Sequence, residues 1–168
     1  PGEKPPVFAF GSGGALPFAP STFDVVVCAQ VYEHVIDQPS LAYEVERVLR
    51  PGGVCFFSGP NRLALIEEHY WLPFLSWLPR QWASVYMRIF KRGKFYDAYP
   101  LFYWQIRRLW RNFEIHDYTL RLLREPGRFL VSERVNKYPW LKVVPDSLLR
   151  NLEPFYPNYN WILVKRNG

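Results

Sequence analysis

Residues 16–61 read LPFAPSTFDVVVCAQVYEHVIDQPSLAYEVERVLRPGGVCFFSGPN, and this stretch decides the fold. Its near-continuous apolar run FDVVVCA at 23–29 predicts a strand that is buried on both faces, as in a parallel sheet covered by helices. Asp37 as an N-cap and Pro39 in the first turn then predict the start of a helix.

Apolar residues recur along that helix at 41, 45, 48 and 49, and Pro-Gly-Gly at 51–53 ends it after Arg50. The run VCFFS at 54–58 predicts a second buried strand. Strand, helix and strand in this order predict a parallel βαβ crossover.

The flanking sequence is less regular. Further elements are predicted at 7–11 (a strand before a GSGG loop), 62–70 (a helix), 80–91 (a basic amphipathic helix with Trp82, Val85, Tyr86, Ile89 and Phe90 on one face), 101–111 (a helix), 113–120 (a strand) and 159–166 (a strand). The segment 121–158, rich in Pro and Arg, is predicted to be irregular.

Composition narrows the class of protein. A hydrophobic content of 49% and a charged content of 21% over 168 residues predict one soluble globular domain. Cys28 and Cys55 lie inside strand-like runs, which favours a reducing compartment over a disulfide or metal framework. The sequence shows neither a signal peptide nor an apolar stretch that could cross a bilayer, so a cytoplasmic location is expected.

Two features point to a partner, and each has a plainer explanation. The net charge is +6, and aromatic residues make up 18% of the chain, mostly beyond residue 69. Basic clusters favour anionic lipid, nucleic acid or an anionic substrate, but they also occur on any solvated helix face. The aromatic residues suit an apolar ligand or a membrane interface, but they also suit the core of a small domain.

The order of LPF, FDVVVCAQVYEHV, RVLRPGG and a following strand ending in PN resembles that of class I S-adenosylmethionine-dependent methyltransferases. The resemblance is to the bacterial small-molecule branch that includes ubiquinone-type methyltransferases. It implies an α/β fold with a Rossmann-like, doubly wound sheet and an antiparallel pair of C-terminal strands. It also implies methyl transfer from S-adenosyl-L-methionine to a small acceptor, for which a lipophilic molecule is one alternative.

The family's first two strands and its glycine-rich turn have no counterpart in this sequence. We therefore expect a single partial domain over 1–168, with a core half at 7–61, a helical insertion at 62–112 that binds or covers the acceptor, and a C-terminal part at 113–168. The opening PGEKPPVF resembles the interior of a longer protein, and the fragment is expected to be inactive alone. The competing hypothesis is a non-catalytic module that docks on a partner or membrane.

The resemblance assigns cofactor contacts to six residues on two loops. Ser12, Gly13 and Leu16 would contact the adenine, with Ser12 in place of a frequent Asp, and Ala29, Gln30 and Val31 would face the methionine end. The position of the second loop agrees with the rule that ligands lie outside the carboxyl ends of parallel strands.

Glu33 and His34 are the predicted catalytic pair, because a base is needed when the acceptor is an un-ionised hydroxyl and histidine suits that role. The alternative is that Glu33 orients the turn while His34 packs. Some relatives bind a divalent metal through E-x-x-E-H, and His69 with Glu67 or Glu68 could complete such a site. Gln30 replaces the first carboxylate, so no metal is predicted.

The acceptor is expected to contact residues after the second strand and on the insertion. The predicted contacts are Tyr32, Asn61, His69, Trp71, Trp82 and Tyr86. The helix at 80–92 is a candidate for peripheral contact with the inner face of the membrane, although a lid packed on the sheet explains it equally well. Nucleic-acid binding is not expected, because the aromatic residues are predicted to lie on a buried face.

Overall fold

The computed structural model describes residues 8–67, 69–136 and 143–167. Its centre is a four-stranded sheet in the order β1-β2-β6-β5, formed by Phe23–Ala29 (β1), Leu49–Pro60 (β2), Phe113–Asp117 (β5) and Asn158–Lys165 (β6). β1 and β2 are parallel, whereas β6 is antiparallel to both β2 and β5. The predicted mixed α/β sheet with an antiparallel C-terminal pair is therefore confirmed.

The remaining elements surround this sheet. They are α1 (Gln38–Val48), β3 (Ile66–Glu67), β4 (Leu72–Pro73), α2 (Arg80–Ile89), α3 (Tyr103–Leu109), α4 (Thr119–Arg124), α5 (Ser132–Asn136), α6 (Asp146–Asn151), and the 3-10 turns Tyr32–His34, Leu75–Trp77 and Glu153–Phe155. Within the described residues, no helix is long and apolar enough to cross a membrane.

The crossover helix α1 begins as the sequence predicts. The carboxylate of Asp37 accepts the backbone N–H of Ser40 at 3.1 Å, which satisfies one of the free donors of the first turn. Leu41 and Val45 are buried against the sheet. The helix ends at Val48, two residues earlier than predicted, and leads directly into β2, so the βαβ unit is confirmed.

The main core lies on one face of the sheet, beneath α1 and α3. Aromatic residues fill it: the ring of Phe57 lies 5.2 Å from that of Trp110 and 5.6 Å from that of Trp161. The indole N–H of Trp161 donates to Asp117 at 2.7 Å. The aromatic bias of the sequence thus serves the core in this part of the chain.

The opposite face of β1 is open, which corrects the prediction of a strand buried on both faces. Val25 and Val27 are 59% and 67% exposed, whereas Cys28 on the other face is buried. An apolar run cannot by itself show whether a second layer covers it, because the covering residues lie elsewhere in the chain.

Three other sequence predictions also need correction. Residues 8–11 are not a strand, and Val7 lies outside the described residues. The described part of 62–70 forms a turn and β3 instead of a helix, because β3 pairs with β4 in a hairpin. The segment 121–158 is not irregular throughout, since α5, α6 and most of α4 lie in it.

The segment predicted to be an insertion, 62–112, has a small core of its own, formed by Leu72, Leu75, Ala83, Met87, Tyr96 and Ala98. Helix α2 buries Ala83 and Met87 most deeply, while Val85 and Tyr86 of its predicted apolar face are half-buried. Trp82, Ile89 and Phe90 are exposed instead. The expectation that the aromatic residues of α2 are buried is therefore wrong for Trp82 and Phe90, and the absence of nucleic-acid binding stays a prediction.

Candidate active site

The two parallel strands bring a turn and a hairpin to the same edge of the sheet. β1 is followed by the 3-10 turn Tyr32–His34, and β2 is followed by the β3–β4 hairpin, which carries His69. The imidazole rings of His34 and His69 lie 5.3 Å apart, edge to face. Ligands of open α/β sheets bind beyond the carboxyl ends of parallel strands, so this edge is the candidate active site.

Glu33 is the most unusual residue of this edge. Its side chain is fully buried, and neither carboxylate oxygen has a hydrogen-bond partner in the described part of the chain. Burial raises the pKa of Glu33 above its ordinary value; His34 and His69 act in the opposite direction, and Glu67 adds to the rise. Carboxyl groups with a raised pKa are found more often at functional sites than elsewhere.

His69 is held by a second buried carboxylate. Its Nδ1 lies 2.9 Å from Oε1 of Glu67, and Oε2 of Glu67 accepts the backbone N–H of Tyr70 at 2.8 Å. Glu67 is buried at the end of β3, next to the hairpin loop, whereas the imidazole of His69 is partly exposed. Sequence reasoning named Glu67 only as a possible metal ligand, and it missed the contact with His69 because it predicted a helix here.

His34 is less firmly held than His69. Its Nε2 lies 4.0 Å from Oε1 of Glu33, and its Nδ1 lies 4.0 Å from Oδ2 of Asp97. Both separations exceed a hydrogen bond. The structure thus brings the predicted pair Glu33 and His34 together at the site, but not as a hydrogen-bonded pair.

The predicted adenine loop is held against α1 by the ion pair of Glu44 and Arg47. The carboxylate of Glu44 accepts the N–H of Leu16 at 2.6 Å and the Nε–H of Arg47 at 2.7 Å. Arg47 donates in turn to the carbonyls of Leu16 and Phe18 at 3.0 and 2.7 Å. These hydrogen bonds, chiefly the one from Arg47, lower the pKa of Glu44 to about 2.

The loop itself is short and close to the candidate active site. Ser12 is exposed and accepts the N–H of Gly14 through its hydroxyl at 3.3 Å. A Cβ on Gly13 would lie 3.1 Å from Cγ2 of Val35, which directly follows the 3-10 turn. The backbone polar groups of Leu16 are used by α1, so only its half-buried side chain is available for a planar ligand.

The second predicted cofactor segment forms a sharp corner at the end of β1. Gln30 has a φ of +55°, and its side-chain amide donates to Asn158 at 3.2 Å and to Ser58 at 3.4 Å. Ala29 is half-buried, and Val31 is exposed at this corner. Val31 is therefore the most accessible of the three predicted residues.

The predicted acceptor residues separate into three groups. Tyr32 and Asn61 are fully buried: Asn61 donates to the carbonyls of Pro154 and Tyr156, both at 2.9 Å, and so joins β2 to the C-terminal segment. His69 lies at the active-site edge. The aromatic residues Trp71 and Trp82 are exposed, and Tyr86 is half-buried against Phe90.

Glu33, His34 and His69 each offer one ligand atom within 4.8 Å of the others. The E-x-x-E-H pattern is nevertheless not assembled, because the Gln30 amide is bound by Asn158 and Ser58. Glu68 lies outside the described residues.

Comparison with known proteins gives agreement over part of the chain. Residues 2–57 match the family model described as a methyltransferase domain. A probable S-adenosylmethionine-dependent methyltransferase of Mycolicibacterium smegmatis is 49% identical over 53 residues, 32% of this chain and 21% of that protein. A ubiquinone biosynthesis O-methyltransferase of Pseudomonas entomophila is 42% identical over 67 residues, 36% of this chain and 28% of that protein.

The chain thus spans about a quarter of the length of the curated relatives it matches. Among solved structures, a chain of the Haloferax volcanii complex that contains the Trm112 methyltransferase activator aligns with a TM-score of 0.50 and 13% identity. That alignment covers 94% of this chain and 60% of the other, and it supports the fold alone. The resemblance predicted from the sequence is confirmed.

Proposed function

We propose, from the match of residues 2–57 to the family model described as a methyltransferase domain, that the protein transfers the methyl group of S-adenosyl-L-methionine to a hydroxyl oxygen of a small acceptor. The observation that carries the proposal is the joint position of Glu33, His34 and His69 at the carboxyl edge of the parallel strands. Relatives named as O-methyltransferases favour oxygen as the acceptor atom.

The described residues fit one side of the cofactor. The Glu44–Arg47 pair fixes the loop that carries Leu16, whose side chain can cover one face of an adenine. Val31 is exposed at the corner where the methionine end is expected. Residues that would grip the ribose are not among these contacts, so the described site is partial.

The chemistry requires positioning and, for a neutral hydroxyl, a proton acceptor. When bound, S-adenosyl-L-methionine supplies a methyl group on a positively charged sulfur. The residues at the strand ends hold the acceptor oxygen in line with that group, and confinement of this kind is the main contribution of the protein to such a displacement. A histidine at the edge removes the hydroxyl proton.

Calorimetry with S-adenosylhomocysteine tests the cofactor side. The measurement uses the full natural polypeptide that contains these 168 residues. Val31→Trp fills the corner and is expected to weaken binding about tenfold, or 1.4 kcal/mol. The matched control Leu148→Trp adds the same side chain to α6, where Leu148 is exposed, and is expected to leave binding unchanged. If the unaltered protein does not bind, the non-catalytic hypothesis replaces this one.

A lipophilic acceptor delivered from a membrane is the finer part of the proposal. The insertion carries an aromatic–basic surface, defined as the exposed residues Trp71, Phe74, Trp77, Trp82, Ile89, Phe90 and Phe95 with the cations Arg88, Lys91, Arg92 and Lys94. Exposed aromatic side chains among cations suit the headgroup region of an anionic bilayer. Trp71 of this surface lies on the same β3–β4 hairpin as His69, which connects the surface to the candidate active site along the chain.

Sedimentation with phosphatidylcholine vesicles, with and without phosphatidylglycerol, tests this surface. Binding is expected only with the anionic lipid, and Arg88→Ala is expected to weaken it about fivefold. Trp82→Ala is expected to weaken it as well, whereas Trp104→Ala, an exposed tryptophan on α3, is the matched control. Binding that is unaffected by both insertion variants would contradict the proposal, and so would a stronger preference for single-stranded RNA as competitor.

A further inference from the structure

Within the proposed methyl transfer, on which this inference rests, we propose that His69, oriented by the buried carboxylate of Glu67, is the residue that removes the acceptor proton. Glu67 is then a positioning residue, and His34 has another role. The inference is carried by the geometry of the β3–β4 hairpin, which sequence reasoning did not predict.

The hairpin backbone holds the carboxylate of Glu67 in place independently of His69. Glu67 pairs with Leu72 across the hairpin, and its backbone carbonyl accepts the N–H of Trp71 at 2.8 Å. Its Oε2 is held by the N–H of Tyr70 at 2.8 Å. Only Oε1 remains for the ring of His69, so both the position and the orientation of the acceptor oxygen are set by the backbone.

That contact determines which nitrogen of His69 can take a proton. A carboxylate can only accept, so the 2.9 Å contact places a hydrogen on Nδ1 of His69. The lone pair is then on Nε2, at the opposite side of the ring. A buried carboxylate that fixes the tautomer and steadies the positive charge formed on proton uptake is the arrangement found in hydrolytic triads.

The alternative base, His34, lacks such an orienting partner. Its two nearest carboxylate oxygens, from Glu33 and Asp97, are both 4.0 Å away. Its ring meets His69 edge to face at 5.3 Å, so it is placed to contact the same bound molecule without a fixed tautomer. His34 therefore suits contact with the acceptor better than proton transfer.

The charges around His69 come from three elements. Glu67 lies on its own hairpin, and Glu33 and His34 lie on the 3-10 turn. Asp97, from the segment after α2, accepts from the hydroxyl of Tyr70 at 2.8 Å.

The proton and electron balance is complete without another reactant. The acceptor O–H bond breaks, and its proton moves to Nε2 of His69. An electron pair of the oxygen forms the new bond to the methyl carbon as the carbon–sulfur bond breaks. The two electrons of the carbon–sulfur bond remain on sulfur, which becomes a neutral thioether. His69 then releases its proton to water.

Nuclear magnetic resonance tests the orientation without any acceptor. Long-range ¹H–¹⁵N correlations on the full natural polypeptide, assigned with His69→Gln, are expected to show the Nδ1–H tautomer for His69. Glu67→Gln is expected to remove this preference and to leave the His34 signals unchanged. A matched control is His116, whose Nε2 lies 3.2 Å from Glu114, so it is expected to show the opposite tautomer.

Methyl transfer to two probe acceptors tests the proton transfer. Catechol is largely un-ionised at neutral pH and needs a base, whereas 4-nitrocatechol is ionised and does not. His69→Gln is expected to lower kcat/KM for catechol by about 10² to 10⁴ and to have much less effect with 4-nitrocatechol. His34→Gln is expected to affect both acceptors equally, because it removes a contact and not a base.

Each remaining outcome has a distinct meaning. An Nε2–H tautomer for His69, an equal loss on both catechols, or activity lost to a chelator and restored by a divalent cation would overturn the assignment. If the unaltered protein binds the cofactor but methylates neither catechol, the phenolic acceptor of the proposed function fails. The tautomer of His69 then still decides whether Glu67 orients it.

Discussion

Gly59 leaves the space that the ring of Tyr32 fills: a Cβ on residue 59 would lie 2.6 Å from Cδ1 of Tyr32. The Tyr32 hydroxyl donates to the carbonyl of Pro60 and accepts the N–H of Leu101 at 3.2 Å. One buried ring thus joins the end of β2, the 3-10 turn at the candidate active site and the segment that returns from the insertion. This contact explains why a residue predicted to bind the acceptor lies in the core instead.

Gly59→Ala is therefore expected to destabilise the protein by about 1–3 kcal/mol, because the Tyr32 ring has no free space into which it can move. Urea unfolding followed by tryptophan fluorescence measures the loss. Gly127→Ala is the matched control, since its nearest neighbour would be Oγ of Ser132 at 3.9 Å. A loss of the same size in both variants would point to general backbone effects and not to this contact.

Glu33→Gln is expected to stabilise the protein relative to the unaltered chain at neutral pH, because an amide cannot ionise, whereas the buried Glu33 carboxyl can and has no hydrogen-bond partner in the described residues. The pKa of Glu33 is raised in the folded protein, and this determines whether stability rises or falls with pH. Below the glutamate pKa of the unfolded chain, near 4.3, the side chain is protonated in both the folded and the unfolded state, so no charge is buried. As pH rises through the window up to the folded pKa, the unaltered protein loses stability relative to the variant. Unfolding curves between pH 4 and 8 measure this difference.

The control for that measurement is Glu114→Gln, since this side chain is exposed on β5 and is expected to change stability by less than about 0.5 kcal/mol. A Glu33→Gln effect that does not vary with pH would contradict the buried charge. A rise in stability together with a loss of methyl transfer would be the trade-off expected when an unfavourable group is retained for function.

The predictable part of the fold is the part whose signals are local. The cap at Asp37 and the apolar spacing of α1 act within a few residues, and both are confirmed. The buried face of α2 could not be derived in this way, because Ala83 and Met87 are as consistent with helical spacing as the aromatic face. The choice between the two faces depends on Tyr96 and the rest of the insertion core, which lie outside the helix.

In the candidate site too, the residues that follow a predicted strand could be located from the sequence, whereas a contact that depends on distant pairing could not. Glu33 and His34 could be located because they directly follow a predicted strand, and strand ends carry ligands in this class of sheet. The pairing of His69 with Glu67 depends on a hairpin whose strands have only two residues each. Such short strands give no alternating pattern in the sequence, so only the structure reveals the contact.

Arg47→Ala is expected to release the loop at 12–18 from α1, because it removes the hydrogen bonds to the carbonyls of Leu16 and Phe18. Hydrogen exchange should then show faster exchange of the Leu16 amide, and affinity for S-adenosylhomocysteine should fall. The control Arg50→Ala removes an exposed pair with Asp24 and should affect neither. Unchanged exchange at the Leu16 amide would show that the position of the loop does not depend on Arg47.

The Glu44–Arg47 pair predicts a pH dependence of stability whose sign is opposite to that predicted for Glu33. The pKa of Glu44 is lowered to about 2, so its contribution is present above the ordinary glutamate pKa and is lost as pH falls through about 2. Protection of the Leu16 amide is therefore expected to be constant from pH 7 to 5 and to fall below pH 4. Glu44→Gln should lack this acid transition, and its persistence in that variant would assign it to another group.

The last prediction concerns β1, which is the terminal strand of the sheet and has one apolar face open to solvent. Val25 and Val27 lie on that face, and an exposed apolar edge strand pairs readily with a second chain. The 168-residue chain is therefore expected to self-associate in sedimentation velocity as its concentration rises, and Val27→Lys should reduce this. Tyr43→Lys adds the same charge on exposed α1 and should have no effect. If both lysines reduced association equally, net charge and not the edge of β1 would govern it.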